Sequence, residues 1–166
     1  WAVQVSKKSF EYVCKPLATV GFLATAIAIS NAESLPQTWR IVALVFCLLG
    51  DVFLMLPRDA FVPGLASFAI AQICFAVSLL NEDVTTLRLL IGLVIVVPAT
   101  LVLARRFIRH ISVAGHKDLV IPVMVYMVVI AAMATSAIAG ATAIGIVGAI
   151  FFMLSDSLIA EQRFVK

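Results

Sequence analysis

Residues 41–56, IVALVFCLLGDVFLML, decide the fold. Apart from Gly50 and Asp51 every side chain in this run is apolar, and nothing in it alternates with a period of two. In lipid the backbone polar groups must be satisfied inside the segment, so such a run predicts a transmembrane helix rather than a barrel strand. Asp51 is the exception that needs a reason. An ionised carboxylate near mid-bilayer costs roughly 2.5 to 3.5 kcal/mol even on the lenient insertion scale, so a residue of this kind faces a bundle interior and marks a function.

The rest of the chain repeats the pattern. Of 166 residues, 63% are hydrophobic and 13% charged, where globular chains run closer to half and a quarter. That composition excludes an ordinary soluble domain and predicts an all-α, polytopic transmembrane bundle, with residues 1–166 forming one transmembrane domain. Six runs approach the 17 to 25 residues needed to cross a bilayer core of about 30 Å. They are Lys15 to Ser30, Ile41 to Leu56, Phe61 to Leu80, Leu87 to Ala104, Leu119 to Ala139 and Ala141 to Ala160. Breaker-rich connectors separate them, including SNAESLPQTW, LPRDAFVPG, NEDVTT and the basic RRFIRHISVAGHKD. Cys14, Cys47 and Cys74 show no paired spacing and read as small hydrophobes. No cleavable signal pattern is present, and the chain opens on Trp1 rather than Met, so its numbering need not begin at the native start.

The basic residues explain themselves through topology, not nucleic acid. Lys7, Lys8, Lys15, Arg58, Arg105, Arg106, Arg109, Lys117, Arg163 and Lys166 fall on the side of the N-terminus; only Arg40 and Arg88 fall on the other. Positive loops stay in the cytoplasm, which predicts a cytoplasmic N-terminus and a cytoplasmic chain end.

The second and sixth spans also resemble each other. CLLGDVFLMLPR (47–58) and FMLSDSLIAEQR (152–163) align without gaps: a small residue, then Asp, then Arg seven positions later. Lys15 opens the first span and Lys117 the fifth. From Lys15 to Lys117 is 102 residues, and from Asp51 to Asp156 is 105. This predicts a parallel repeat, with spans one and two (15–58) matching spans five and six (117–163). Such a repeat places two further helices after Lys166.

Asp51 and Asp156 are the two acids well inside the spans, each a few residues before a cytoplasmic end, so they are expected in one layer. Two carboxylates in a low-dielectric pocket share a proton more cheaply than both ionise, which would supply a general acid and a general base. Gly50 and Ser155, just before each Asp, let a helix or a substrate approach closely. Gln72 and Tyr126 are polar groups deep in the third and fifth spans, candidates for inward-facing substrate contacts or for packing. Lys15, Arg58, Lys117 and Arg163 would ring the mouth above the acids, where interfacial snorkelling and phosphate binding are both open. His110 and His116 lack partners of metal-ligand spacing, no cofactor is implied, and no intramembrane His supports a serine triad around Ser155 or Ser157. Oligomeric state is not readable.

KPLAT (15–19), GDVFLMLPRDAFVPGLASF (50–68), KDLVIPVMVY (117–126) and GAIFFMLSDSLIAEQRF (148–164) together resemble the YhhN family of membrane proteins, whose characterised members are lysoplasmalogenases. The resemblance implies hydrolysis of the vinyl ether bond of a lysoplasmalogen, with the family's two motif aspartates falling on Asp51 and Asp156. It implies a lysophospholipid substrate, a lipid environment and no cofactor, and the expected location is a bacterial inner membrane rather than the endoplasmic reticulum. It also implies about eight spans, one of them ahead of Lys15-Pro16, a placement that disagrees with the repeat. Where the family often has His in the third span this chain has Gln72. Two other classes use intramembrane acids: a proton-coupled transporter, and an intramembrane aspartyl protease, whose GxGD motif is replaced here by Leu48-Leu49-Gly50-Asp51.

Overall fold

The computed structural model describes residues 17–29, 34–56, 60–113, 117–140 and 142–164, less the side chains of residues 112, 117, 144 and 157–164. Those residues form six α-helices: α1 (Leu17–Ala28), α2 (Leu35–Met55), α3 (Phe61–Leu80), α4 (Thr86–Val113), α5 (Val120–Gly140) and α6 (Ala143–Phe164). A 3-10 turn at Lys117–Leu119 leads into α5. Helices α2, α3, α4 and α5 are long and apolar enough to cross a membrane, while α1 and the apolar stretch Gly145–Asp156 of α6 are shorter. A helical membrane bundle is therefore the architecture.

Two boundaries differ from the sequence expectation for physical reasons. Helix α2 starts at Leu35, six residues before Ile41, because Pro36 stands in its first turn, where the missing N–H costs nothing. It stops where Leu56 turns extended ahead of Pro57. Helix α4 runs nine residues past Ala104, through the segment expected to be a basic loop. Ala104, Phe107 and Ile111 are buried there while Arg105, Arg106 and Arg109 are exposed, so the segment is an amphipathic helix end. Thr142 caps α6: its Oγ1 accepts from the Gly145 N–H at 3.4 Å.

Helix α5 is the hub. It packs on α3, α4 and α6, while α2 packs on α3. Its second half, AAMATSAIAG (131–140), is almost entirely small, and Thr135 and Ser136 turn their hydroxyls back onto the carbonyls of Ala131 and Ala132. Lipid offers no hydrophobic drive to bring helices together, so close van der Waals approach does the work. At Gly140 that approach is extreme: a Cβ would lie 2.6 Å from the carbonyl oxygen of Leu79 on α3. The outer faces are apolar, as at Val94, Val102 and Ile121, which suits contact with lipid.

At the end of the bundle away from the acids, Arg40 of α2 pairs with Glu82. Its Nε donates to Ser78 Oγ at 3.1 Å, and Ser78, fully buried, donates to the Pro36 carbonyl at 2.8 Å. This ties the start of α2 to the end of α3. Arg40→Met is expected to lower stability by about 1.5 to 3 kcal/mol, the scale of a lost hydrogen bond to a charged group, read as an earlier thermal unfolding midpoint in detergent.

Candidate active site

The acids are placed by helix pairs. Asp51 follows Gly50 in α2, four residues before the helix ends at Met55. Gly50 is buried, and the aromatic ring of Phe68 from α3 occupies the space a side chain would need. Thr19 of α1 donates its hydroxyl to Asp51 Oδ2 at 2.6 Å. Asp156 lies on α6, and the phenol of Tyr126 on α5 donates to Asp156 Oδ2. Phe68 links the two positions: its ring lies against Gly50, next to Asp51, and meets Phe152 of α6, one turn before Asp156.

Buried groups surround them. Cys47, one turn before Asp51, is buried in one cluster with Phe68, Cys74 and Tyr126. Gln72 is fully buried beside Tyr126, yet neither its Oε1 nor its Nε2 makes a well-formed hydrogen bond among the described residues.

Asp156 and Tyr126 open onto a cleft of about 770 Å³, counting the open space at its mouth. Phe61, Leu65 and Phe68 of α3 form one wall, Leu103 and Phe107 of α4 the other, with Val123, Met127 and Ile130 of α5 between them. Among the described residues Thr100 is the one further polar lining residue, and its Oγ1 is buried with no hydrogen-bond partner among them. An apolar chamber with a carboxyl group on its wall can hold an aliphatic chain and present an acid to a bond along it.

The expected residues divide cleanly. Asp51, Asp156, Gln72 and Tyr126 come together. Ser155 is exposed and does not line the pocket. Lys15 and Arg58 lie outside the described residues, as do the side chains of Lys117 and Arg163, so the basic ring is not described. His110 bonds through Nδ1 to the Arg106 carbonyl in the last turns of α4, and His116 lies outside the described residues. Among its neighbours, Thr19 and Thr100 were not singled out from sequence, and Cys47 was read only as a small hydrophobe. Cys47 carried a signal, since with Ala43 and Asp51 it repeats every four residues along one face of α2.

The described helices form a membrane bundle that carries Asp51 on α2 and Asp156 on α6, the latter on the wall of an apolar pocket. The chain belongs to the YhhN family, whose model matches residues 10–166. It is 32% identical over 155 residues to the lysoplasmalogenases of Mycobacterium bovis and Mycobacterium tuberculosis, covering 89% of this chain and 58% of each relative. The chain thus spans a little over half the length of those relatives. No solved structure matches it.

Proposed function

We propose that this protein hydrolyses the vinyl ether bond of a lysoplasmalogen, releasing a fatty aldehyde and a glycerophospho-base, with Asp51 and Asp156 as its acid/base pair. One observation carries the reading: a carboxyl group, Asp156, held by the Tyr126 phenol, lies on the wall of an apolar pocket that suits a single aliphatic chain. Vinyl ethers hydrolyse by slow protonation of carbon, followed by addition of water and collapse of a hemiacetal. A positioned carboxylic acid accelerates the first step, and a nearby carboxylate favours the cation it forms. Membership of a family with relatives named lysoplasmalogenase points the same way.

In this reading the lysophospholipid lies with its chain in the pocket and its ether bond at the carboxylate layer. Its phosphate head sits near Lys15, Arg58, Lys117 and Arg163, at the cytoplasmic face of a bacterial inner membrane. Tyr126 and Gln72 belong to the site, whereas the exposure of Ser155 favours a helix-surface role over substrate contact. Each Asp takes a hydroxyl from the preceding helix, Thr19 to Asp51 and Tyr126 to Asp156, which supports 15–58 and 117–163 as parallel repeats.

The test incubates purified protein with choline and ethanolamine lysoplasmalogens beside ordinary ester lysophospholipids. Aldehyde from the first two and none from the esters is expected. Substrate uptake into vesicles without aldehyde would instead identify a carrier.

A further inference from the structure

Resting on that reading, we infer that the two aspartates are not equivalent: Asp156 is the acid that protonates the substrate, Tyr126 is the positioning residue that aims it, and Asp51 acts from behind through its charge. The two carboxyl groups differ in what they face. Asp156 lines the pocket; Asp51 does not, and its Oδ2 is tied back to Thr19 of α1. They differ also in their hydrogen-bond donor. A neutral carboxylic acid has one carbonyl oxygen that accepts and one O–H that donates. Tyr126 donates to Oδ2 of Asp156, so in the neutral acid the proton resides on Oδ1. That leaves Oδ1–H as the group able to leave for a substrate carbon, while the phenol fixes the plane in which it points.

The cycle balances on this one group. The Oδ1–H bond of Asp156 breaks and a C–H bond forms at the vinyl carbon remote from the ether oxygen, with the double-bond electron pair making the new bond. Positive charge then spreads over the other vinyl carbon and the ether oxygen, where the nearby Asp51 carboxylate favours it. Water adds to that carbon and gives its surplus proton to the Asp156 carboxylate. The resulting acid protonates the leaving glycerol oxygen from Oδ1, the C–O bond breaks, and Oδ1 takes the proton of the hemiacetal hydroxyl. Aldehyde and alcohol depart, and Asp156 ends protonated as it began. No oxidant or reductant enters.

The experiment runs aldehyde release in D2O with immediate reduction of the aldehyde to its alcohol, for the wild type, Tyr126→Phe and Thr19→Val. Delivery from one fixed carboxyl group places the single deuterium at C2 on one face in the wild type. Tyr126→Phe is expected to lower kcat roughly tenfold, the rate equivalent of a lost hydrogen bond, with KM little changed and deuterium spread onto both faces. A merely structural role would not scramble that label. Thr19→Val, which removes a hydroxyl from Asp51, is expected to lower kcat by less than Tyr126→Phe does and to keep the single face. Deuterium on both faces in the wild type, or a larger loss of kcat in Thr19→Val than in Tyr126→Phe, would overturn the assignment while aldehyde release itself stands. A wild type that releases no aldehyde would overturn the function and the assignment together. If Tyr126→Phe does not fold, Asp156→Ala with added formate replaces it: formate should restore release there and not in Asp51→Ala, and the reverse pattern would overturn the proposal.

Discussion

Asp156→Asn is expected to cut aldehyde release from lysoplasmalogen by roughly 10²- to 10⁴-fold, the usual contribution of a positioned proton donor. Asparagine keeps the size of aspartate, and its carbonyl oxygen still accepts the Tyr126 phenol, but its amide has no acidic proton to give. The neutral isostere also removes a buried carboxyl group from beside Asp51, so thermal stability should hold or rise. Loss of activity without loss of fold is thus the signature sought. Asp51→Asn is expected to lose less, roughly 10- to 10²-fold, because that side chain acts through charge and not through transfer of its own proton. Kinetics on detergent-purified protein, with unfolding midpoints in parallel, check both. Full activity in either variant would remove that residue from the mechanism.

Gly50→Val should damage fold and activity together. A Cβ at Gly50 would stand 2.7 Å from Cε2 and 2.8 Å from Cδ2 of Phe68. Phe68 cannot yield freely: it is buried, it meets Phe152 of α6 edge-on at 6.4 Å between ring centroids, and it forms part of the pocket wall. Helices α2 and α3 must therefore separate or the ring must enter the pocket. Overpacking of this kind costs typically about 1 to 3 kcal/mol, and Asp51, the next residue, moves with the helix. Gly148 supplies the control, since a Cβ there meets nothing within 4 Å. Gly148→Ala is expected to stabilise slightly, by about 0.5 to 1 kcal/mol, through helix propensity alone. Thermal unfolding of the two variants beside the wild type separates close packing from a general intolerance of substitution at glycine.

Much of this architecture was legible in the chain because lipid removes the usual ambiguity. Only a helix satisfies the backbone in runs such as 61–80, and α3 matches that run end to end. The acids were legible for the same reason, as costly groups in an apolar setting. What was lost lay where one signal covered another. Arg105, Arg106 and Arg109 read as loop because their charge answered the topology question, although Ala104, Phe107 and Ile111 already traced a helical face. Pro36 read as a breaker although a proline also suits a first turn. The site's finer geometry was out of reach on other grounds. Nothing local to Thr19 says that its hydroxyl meets an acid 32 residues on, and the pocket needs α3, α4, α5 and α6 assembled. Gly50 was legible as small, not as the place where Phe68 presses against α2.

The most direct measurement compares a lysoplasmalogen with its saturated 1-alkyl ether analogue, identical in head group and chain length, on the purified wild-type chain. Protonation of carbon requires the double bond, so aldehyde should appear from the vinyl ether and no cleavage product from the saturated ether. Equal cleavage of both, or aldehyde from neither, would contradict acid catalysis by the paired aspartates.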